Sequence, residues 1–414
     1  MSVPPEINTG PFAALAYRDF RLLWSGQILS MIGTRMQAAA LLWHVYQLTG
    51  SEYALGLVGL ARVVPLVLFA MVGGVVADVL DRRRLMLISQ CVMAVLAAGL
   101  GIWSLIGLDV VWPIYLVAGL NAGVIAFEGP ARQSLVPALV PRAHLGNAVS
   151  LSSTTGQLAS MIGPAVMGLL ISRYPIGLVY CLNAASFLAI IASLLVMRPP
   201  ANDVEERPQL GLSAALEGLR FMRHSRLLVS LMLLDFAATF FASANTLLPA
   251  YADRVLHVGP KTYGYLAAAS SVGATLGAAA MAAFSPPRRQ GMMILGAVFA
   301  YGLATVAFGL STTFWPAFLA LAATGAADMV STVLRQTIRQ LETPDVLRGR
   351  MTAINQVFFQ GGPQLGDLEA GLVAGAFSVP IAIISGGAGC MLAVWVAAWR
   401  APWLARYQPA VGNG

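Results

Sequence analysis

The chain has 414 residues, of which 58% are hydrophobic and only 10% charged, with a mean hydropathy of +0.74. Soluble domains carry roughly a quarter charged residues, so water is not this protein's main solvent and a sizeable soluble domain is excluded. The net charge of +7 would suit a nucleic-acid binder only if Lys and Arg gathered on one solvated face with motif support, and they do not.

A bilayer core about 30 Å thick takes roughly 20 apolar residues per helix, so this length holds about a dozen spans with short loops. Residues 1–20 contain no apolar core of signal-peptide length, and insertion is expected to begin with the first span. Apolar runs bounded by charge, Gly and Pro predict helices over 21–47, 54–77, 84–105, 111–131, 145–171 and 176–197. The stretch from Arg198 to Arg226, rich in Pro and acidic residues and ending in an amphipathic segment over 213–224, reads as a linker with a surface helix. Six more helices follow, over 227–249, 262–284, 291–311, 314–334, 350–377 and 379–399. The expected organisation is a six-helix half over 1–197, a linker over 198–226, a second half over 227–400 and a tail over 401–414.

Basic loops stay cytoplasmic. Most of the Lys and Arg, including Arg82, Arg83, Arg84, Arg288 and Arg289, fall on the side of the N-terminus, whereas the opposite loops hold Arg173, Arg254 and Lys261. Both termini are therefore expected in the cytoplasm, with an even number of spans. The halves also repeat each other: Arg132, Gln133, Pro141, Gly146, Gln157, Gly163 and Gly168 recur 203 positions later as Arg335, Gln336, Pro344, Gly349, Gln360, Gly366 and Gly371. Such a constant offset marks a duplicated six-helix unit.

The turn after the second span reads Gly73-Gly74-Val75-Val76-Ala77-Asp78-Val79-Leu80-Asp81-Arg82-Arg83-Arg84. Further along stand Arg18-Asp19-Phe20-Arg21, Pro130-Ala131-Arg132-Gln133 and Gly361-Gly362-Pro363-Gln364-Leu365-Gly366. On these motifs the chain resembles the major facilitator superfamily, and within it the branch that contains the bacterial enterobactin exporter. Gly74, Asp78, Arg82 and Arg83 match the superfamily signature, while Val79 and Asp81 depart from it. In the fifth span Gly156, Gly163, Pro164 and Gly168 resemble the exporter signature. The resemblance implies an all-α polytopic fold of twelve transmembrane helices in two six-helix pseudo-repeats. It also implies a conformational latch of Gly74, Asp78, Arg82, Arg83, Glu128 and Arg132, with Glu128 engaging the motif arginines. Independently of family, Asp78 can face a helix N-terminus, Glu128 and Arg132 are spaced to pair, and Asp328 and Arg335 read as a second cytoplasmic latch.

Polar residues inside spans are costly and face a cavity or one another. Gln27, Ser30, Thr34, Gln37 and His44 share one stripe of the first helix. Together with Gln157, Thr239, Gln356, Gln360 and Gln364, the members Gln27, Thr34 and Gln37 are the candidate substrate-cavity residues. The family's architecture directs these helices to a central cavity. Asp235, Asp367 and Glu369 are the proton-coupling candidates, Asp235 being favoured. Arg35 and Arg62 are expected to pair structurally with a carboxylate, and His44 to sit at the membrane boundary. Cys91, Cys181 and Cys390 are expected to be buried thiols.

The expected function is export of a small organic molecule, a siderophore, drug or amphiphile, by proton-driven alternating access. The alternative is an importer or facilitator of a small metabolite or lipid. Absence of a G-x-x-x-x-G-K-[ST] loop argues against direct ATP use. Four histidines scattered over different segments argue against a membrane transferase, so no enzyme activity is expected. No metal or cofactor beyond the proton gradient is implied. The expected partners are the substrate and the lipid bilayer, without nucleic acid, for a monomer in the bacterial inner membrane.

Overall fold

The computed structural model describes residues 10, 12–79, 81–108, 110–198, 225–243, 245–284, 289–344 and 348–408, with the backbone alone at 70–79, 348–354 and 356–358. The first half is α1 (Arg18–Thr49), α2 (Glu52–Val79), α3 (Arg82–Leu105), α4 (Trp112–Ala138), α5 (Leu145–Ile171) and α6 (Gly177–Val196). The second is α7 in two pieces, α7a (Arg226–Phe241) and α7b (Leu248–Arg254), then α8 (Pro260–Ala283), α9 (Gln290–Leu310), α10 (Phe314–Glu342), α11 (Arg348–Ala376) and α12 (Val379–Arg400). Among the described residues no strand occurs. The amphipathic segment 213–224 lies outside the described residues.

Local sequence explains several boundaries. Gly50 ends α1 in the left-handed region at φ 58°, where a residue without Cβ is least strained. Asp81, a departure from the family signature, starts α3 as its N-cap, its side chain accepting from the Arg84 amide at 2.8 Å. The predicted continuous seventh span is instead broken after Phe241: polar Ser243, Asn245 and Thr246 and then Pro249 interrupt the helical pattern before α7b. Ten of the described helices are long and apolar enough to cross a bilayer, and the two long helices outside that set are α1 and α11. Those two carry the stripes rich in Gln, which lower their hydropathy.

The apolar core is in three parts. One cluster draws on both halves, from Met36–Tyr46 of α1 and Leu55 and Val58 of α2 to Leu247–Ala252, Tyr263 of α8 and Ala374 of α11, all toward the end of the bundle bearing Gly50. At the other end the halves have separate cores: Phe20, Leu23, Met86, Leu135 and Leu194 in the first, Leu231, Leu234, Ile294, Leu334 and Val394 in the second. One end is thus closed and the other split.

Two helix seams join the halves, α2 against α11 and α5 against α8. Gly56 lies against Gly371 in the first seam and Gly168 against Gly264 in the second, close enough that a Cβ would meet facing backbone. In lipid such small residues permit the close packing that drives helix association. The repeat mates Gly163 and Gly366 have matching tasks, the former against Ile32 and Arg35 of α1 and the latter against Phe240 of α7a.

Candidate transport site

The closed end is tied across the halves by polar contacts. Arg254 of α7b pairs with Glu52 of α2, donates to the Gly50 carbonyl at 2.5 Å and to the Tyr46 hydroxyl at 3.2 Å. Tyr46 in turn donates to Asp253 at 2.8 Å. Deeper in, Tyr263 of α8 donates to the Ala39 carbonyl at 3.0 Å and stacks on Trp43. Sequence reasoning missed this gate, because Arg254 was explained by topology alone and Glu52 and Asp253 were not singled out. The signal was the clustering of charge and Tyr at the loop faces poorest in basic residues.

Below the gate, Asp367 of α11 is buried and accepts from the Ser243 hydroxyl at 2.7 Å, with Thr246 and the charge of Arg62 from α2 in reach of the same carboxylate. Arg62 makes no ion pair among the described residues; the carboxylate whose charge acts on it is Asp367, which belongs to the other half. Gln364, one turn away on α11, has a buried side-chain oxygen without a hydrogen-bond partner. Glu369 is half-buried elsewhere on the helix. Asp235 of α7a instead sits 2.7 Å from Arg335 of α10, with both side chains about a tenth exposed. The contact has the distance of an ion pair without the alignment of a hydrogen bond. Arg335 also lies 3.8 Å from Asp328 and donates to Thr332 at 3.1 Å. Thus the favoured coupling residue and the second latch form one cluster, in which Asp235 and Arg335 are buried and Asp328 is half-exposed. A cavity of about 180 Å³ adjoins it, lined by Thr239, Ser243, Asn245, Thr305, Thr324 and Asp328 among others.

The first half differs from its sequence reading. The α1 stripe predicted to face the cavity is bonded within its own half: Gln37 accepts from Asn183 of α6 at 2.7 Å, Ser30 donates to Gln90 of α3 at 3.4 Å, and His44 meets the Tyr180 hydroxyl at 3.0 Å. Periodicity identified a face but not its neighbour. Gln27 is buried, and Thr34 donates to the Ser30 carbonyl of its own helix at 2.8 Å. His44 packs on Tyr180 rather than standing free at a boundary. Arg35, on the other face, has no hydrogen bond or ion pair among the described residues, and the charges acting on it are those of Arg132 and Arg62. The carboxylate expected for Arg35 is not there. Gln157 and Gln360, which are repeat mates, are both half-buried, whereas the side chain of Gln356 lies outside the described residues.

Latch residues spread over the split end. Arg82 donates to the Ser134 carbonyl of α4 at 3.0 Å and Arg83 to the Leu194 and Leu195 carbonyls of α6 at 2.5 and 3.0 Å. Cations at helix C-termini are favoured by the dipole. Glu128 stands 3.9 Å from Arg132 and makes no ion pair with Arg82 or Arg83 among the described residues, contrary to the expected engagement. The Gly74 and Asp78 side-chain positions lie outside the described residues. Of the cysteines, Cys390 is buried, Cys181 partly so and Cys91 exposed on its apolar helix.

Two six-helix halves, cores fused at one end and separate at the other, and charged groups at the seam define a transporter of the major facilitator superfamily. The chain belongs to the family described as transmembrane secretion effector, whose model matches residues 9–404. It is 28% identical over 380 residues to the enterobactin exporter EntS of Shigella boydii serotype 18, covering 91% of this chain and 90% of that one. EntS of Escherichia coli O81 matches equally, at 28% over 380 residues and the same shares of each chain. Among solved structures, a D323A mutant of the nucleoside transporter NupG superposes with a TM-score of 0.76 at 12% identity, covering 92% of this chain and 99% of that one. A bacterial homologue of the human lysosomal transporter Spinster, in an inward-facing and unoccupied conformation, gives 0.73 at 15%, covering 96% and 99%. These likenesses show the fold.

Proposed function

We propose that the protein is a secondary active exporter of small organic molecules in the bacterial inner membrane, working by alternating access with proton antiport. The observation that carries this is the three-part core: the halves share apolar packing only at the Gly50 end, so rocking about the α2–α11 and α5–α8 seams exchanges one closed end for the other without unpacking either half. The positive-inside rule puts the arginine-rich split end in the cytoplasm, with both termini, so this state receives cargo from inside. Export is supported by the likeness to EntS, named an enterobactin exporter. It is also supported by the α5 glycines that resemble the exporter signature, which lie against α1 and α8.

Coupling is assigned to Asp367. A carboxylate at bundle depth binds a proton more readily than one in water, and Asp367 sits on the seam that must move, bonded to Ser243 where α7 is broken. Loading a proton there releases the attraction to Arg62 and frees α2 from α11. Asp235, held by Arg335, is a structural partner in this reading.

The test is uptake of a compound panel into inside-out vesicles with an acidified lumen, for wild type and Asp367→Asn. Wild type should accumulate its substrate and lose accumulation when the pH gradient collapses. Asp367→Asn should exchange substrate downhill and fail to concentrate it. Accumulation only in right-side-out vesicles would make the protein an importer, and uphill transport by Asp367→Asn would remove the proton from that residue.

A further inference from the structure

Among the described residues Arg35 makes no hydrogen bond or ion pair, and the charges acting on it are those of other arginines. It is the eighteenth of the 32 residues of α1, about 25 Å from the helix start at 1.5 Å per residue, and so midway through the bundle. The other face of α1 is bonded into α3 and α6 through Ser30 and Gln37, and the backbone at Arg35 rests on Gly163 of α5. The Arg35 residue is exposed, and the charges reaching it come from Arg132 of α4 and Arg62 of α2, which sets it between helices and not toward lipid. The charge of Asp367 acts on Arg62, and Arg132 has Glu128 at 3.9 Å, whereas Arg35 has no ion pair among the described residues and the charges acting on it are both positive.

A cation at membrane depth is retained where it faces a water-filled cavity or serves a ligand. Arginine in particular presents a planar fork matched to carboxylate and phosphate oxygens, and it stays charged in all conditions. Two further arginines enhance the local positive potential, which attracts an anion and repels a cation. The cores of the two halves are separate at the split end, and Arg35 is exposed. We propose that Arg35 is the docking residue for the acidic group of an organic anion, so that the transported compounds are amphiphiles carrying a carboxylate or phosphate. The inference rests on the transport reading above and narrows it to a substrate class. It also divides the labour across the cavity, with the anion on the first half and the proton on Asp367 of the second.

The experiment uses two fluorescent probes of one skeleton, 1-pyrenebutyrate and the neutral 1-pyrenebutanol, titrated into purified full-length protein. Wild type should bind the carboxylate more tightly than the alcohol by roughly tenfold or more, the scale of one charge-assisted contact. Arg35→Gln should abolish that preference, and Arg35→Lys, which keeps charge but not the fork, should retain part of it. Removing a cation that has only other cations near it should leave the unliganded protein at least as heat-stable as wild type. Equal binding of the two probes by wild type, an undiminished preference in Arg35→Gln, or an Arg35→Gln protein that no longer folds would each overturn the proposal. If pyrenebutyrate binds through Arg35 while wild-type vesicles move no compound, the anion site stands and the transport reading falls. If vesicles export neutral compounds and the probes bind alike, the transport reading stands and the anion site falls.

Discussion

Gly163 of α5 lies against α1, and its mate 203 residues on, Gly366 of α11, lies against α7a; Arg132 and Arg335 are mates by the same offset. The backbone frames of the two halves therefore correspond, but the charges built on them do not. Around Arg335 stand two carboxylates, Asp235 at 2.7 Å and Asp328 at 3.8 Å. Around Arg132 stands one, Glu128 at 3.9 Å, together with the unpaired cation of Arg35. Close helix approach is a steric demand that both copies must meet, so its glycines persist. Charge is free to diverge: the first half holds Arg35 and Arg62 within its spans, and the second holds Asp235, Asp328 and Asp367.

The widest test of this contrast is to remove each mate in turn. Arg335→Gln strands the buried Asp235 and removes the neighbour of half-exposed Asp328, and should cost about 3–5 kcal/mol, seen as lost folded protein or a large drop in thermal midpoint. Adding Asp235→Asn should recover much of that loss. Arg132→Gln removes a long, partly exposed pair and should cost about 0–1 kcal/mol. Equal losses at the two arginines would show that the halves are charged alike in effect.

A smaller effect is expected at the gate, which compares the closed end with the split one. Glu52→Gln removes the partner of Arg254 and should weaken the closed state by about 1–2 kcal/mol, shifting the ratio of the two states by roughly tenfold. Distances between spin labels placed at Arg173 and Lys261, in the loop faces of the closed end, should gain a longer component. An unchanged distribution would mean that the glycine seams alone hold that end shut.

How far the sequence carried these conclusions varies with the kind of interaction. Span positions were legible because the bilayer imposes length and hydropathy directly: α5 was predicted over the residues it occupies, 145–171, and α3 within two residues at its start. The end of α4 was placed at 131, whereas the helix runs through Pro137 to Ala138. Proline inside a membrane helix is tolerated when neighbours satisfy the freed carbonyls, here those of Ala126 and Gln133, four residues before Pro130 and Pro137. The break in α7 was legible in principle from Ser243, Asn245 and Pro249, and was overridden by the apolar run around it. Pairing was the least legible. Arg62 was expected to pair with an acid; it makes no ion pair among the described residues, and the acid whose charge acts on it, Asp367, lies across the meeting of the two halves, which no local pattern encodes. Arg35 was expected to have one on the same reasoning, and the general cost of a lone charge proved a poor guide where the protein opens to water.

The smallest effect decides what the α1 stripe is for. If Gln27, Ser30, Thr34 and Gln37 lined the cavity, replacing Gln37 would change substrate affinity. In the structure Gln37 accepts from Asn183 of α6 at 2.7 Å and is buried, while Asn183 lies against the Gly33 position on the same helix face. Gln37→Met keeps the volume and removes the acceptor, leaving the Asn183 amide to find another partner inside the first half. Hydrogen bonds between membrane helices average about 0.6 kcal/mol, because the alternative states also find partners. The thermal midpoint should therefore fall slightly, with transport KM unchanged, since the cavity-facing side of α1 is the opposite one that carries Arg35. The same substitution in the other half at Gln360, the repeat mate of Gln157, should do the reverse, raising KM with little change in stability, because Gln360 is half-buried and no side-chain hydrogen bond of the described residues ties it to a neighbour. A raised KM for Gln37→Met with an unmoved midpoint would return the stripe to the cavity and place Arg35 on the wrong face of α1 to receive an anion.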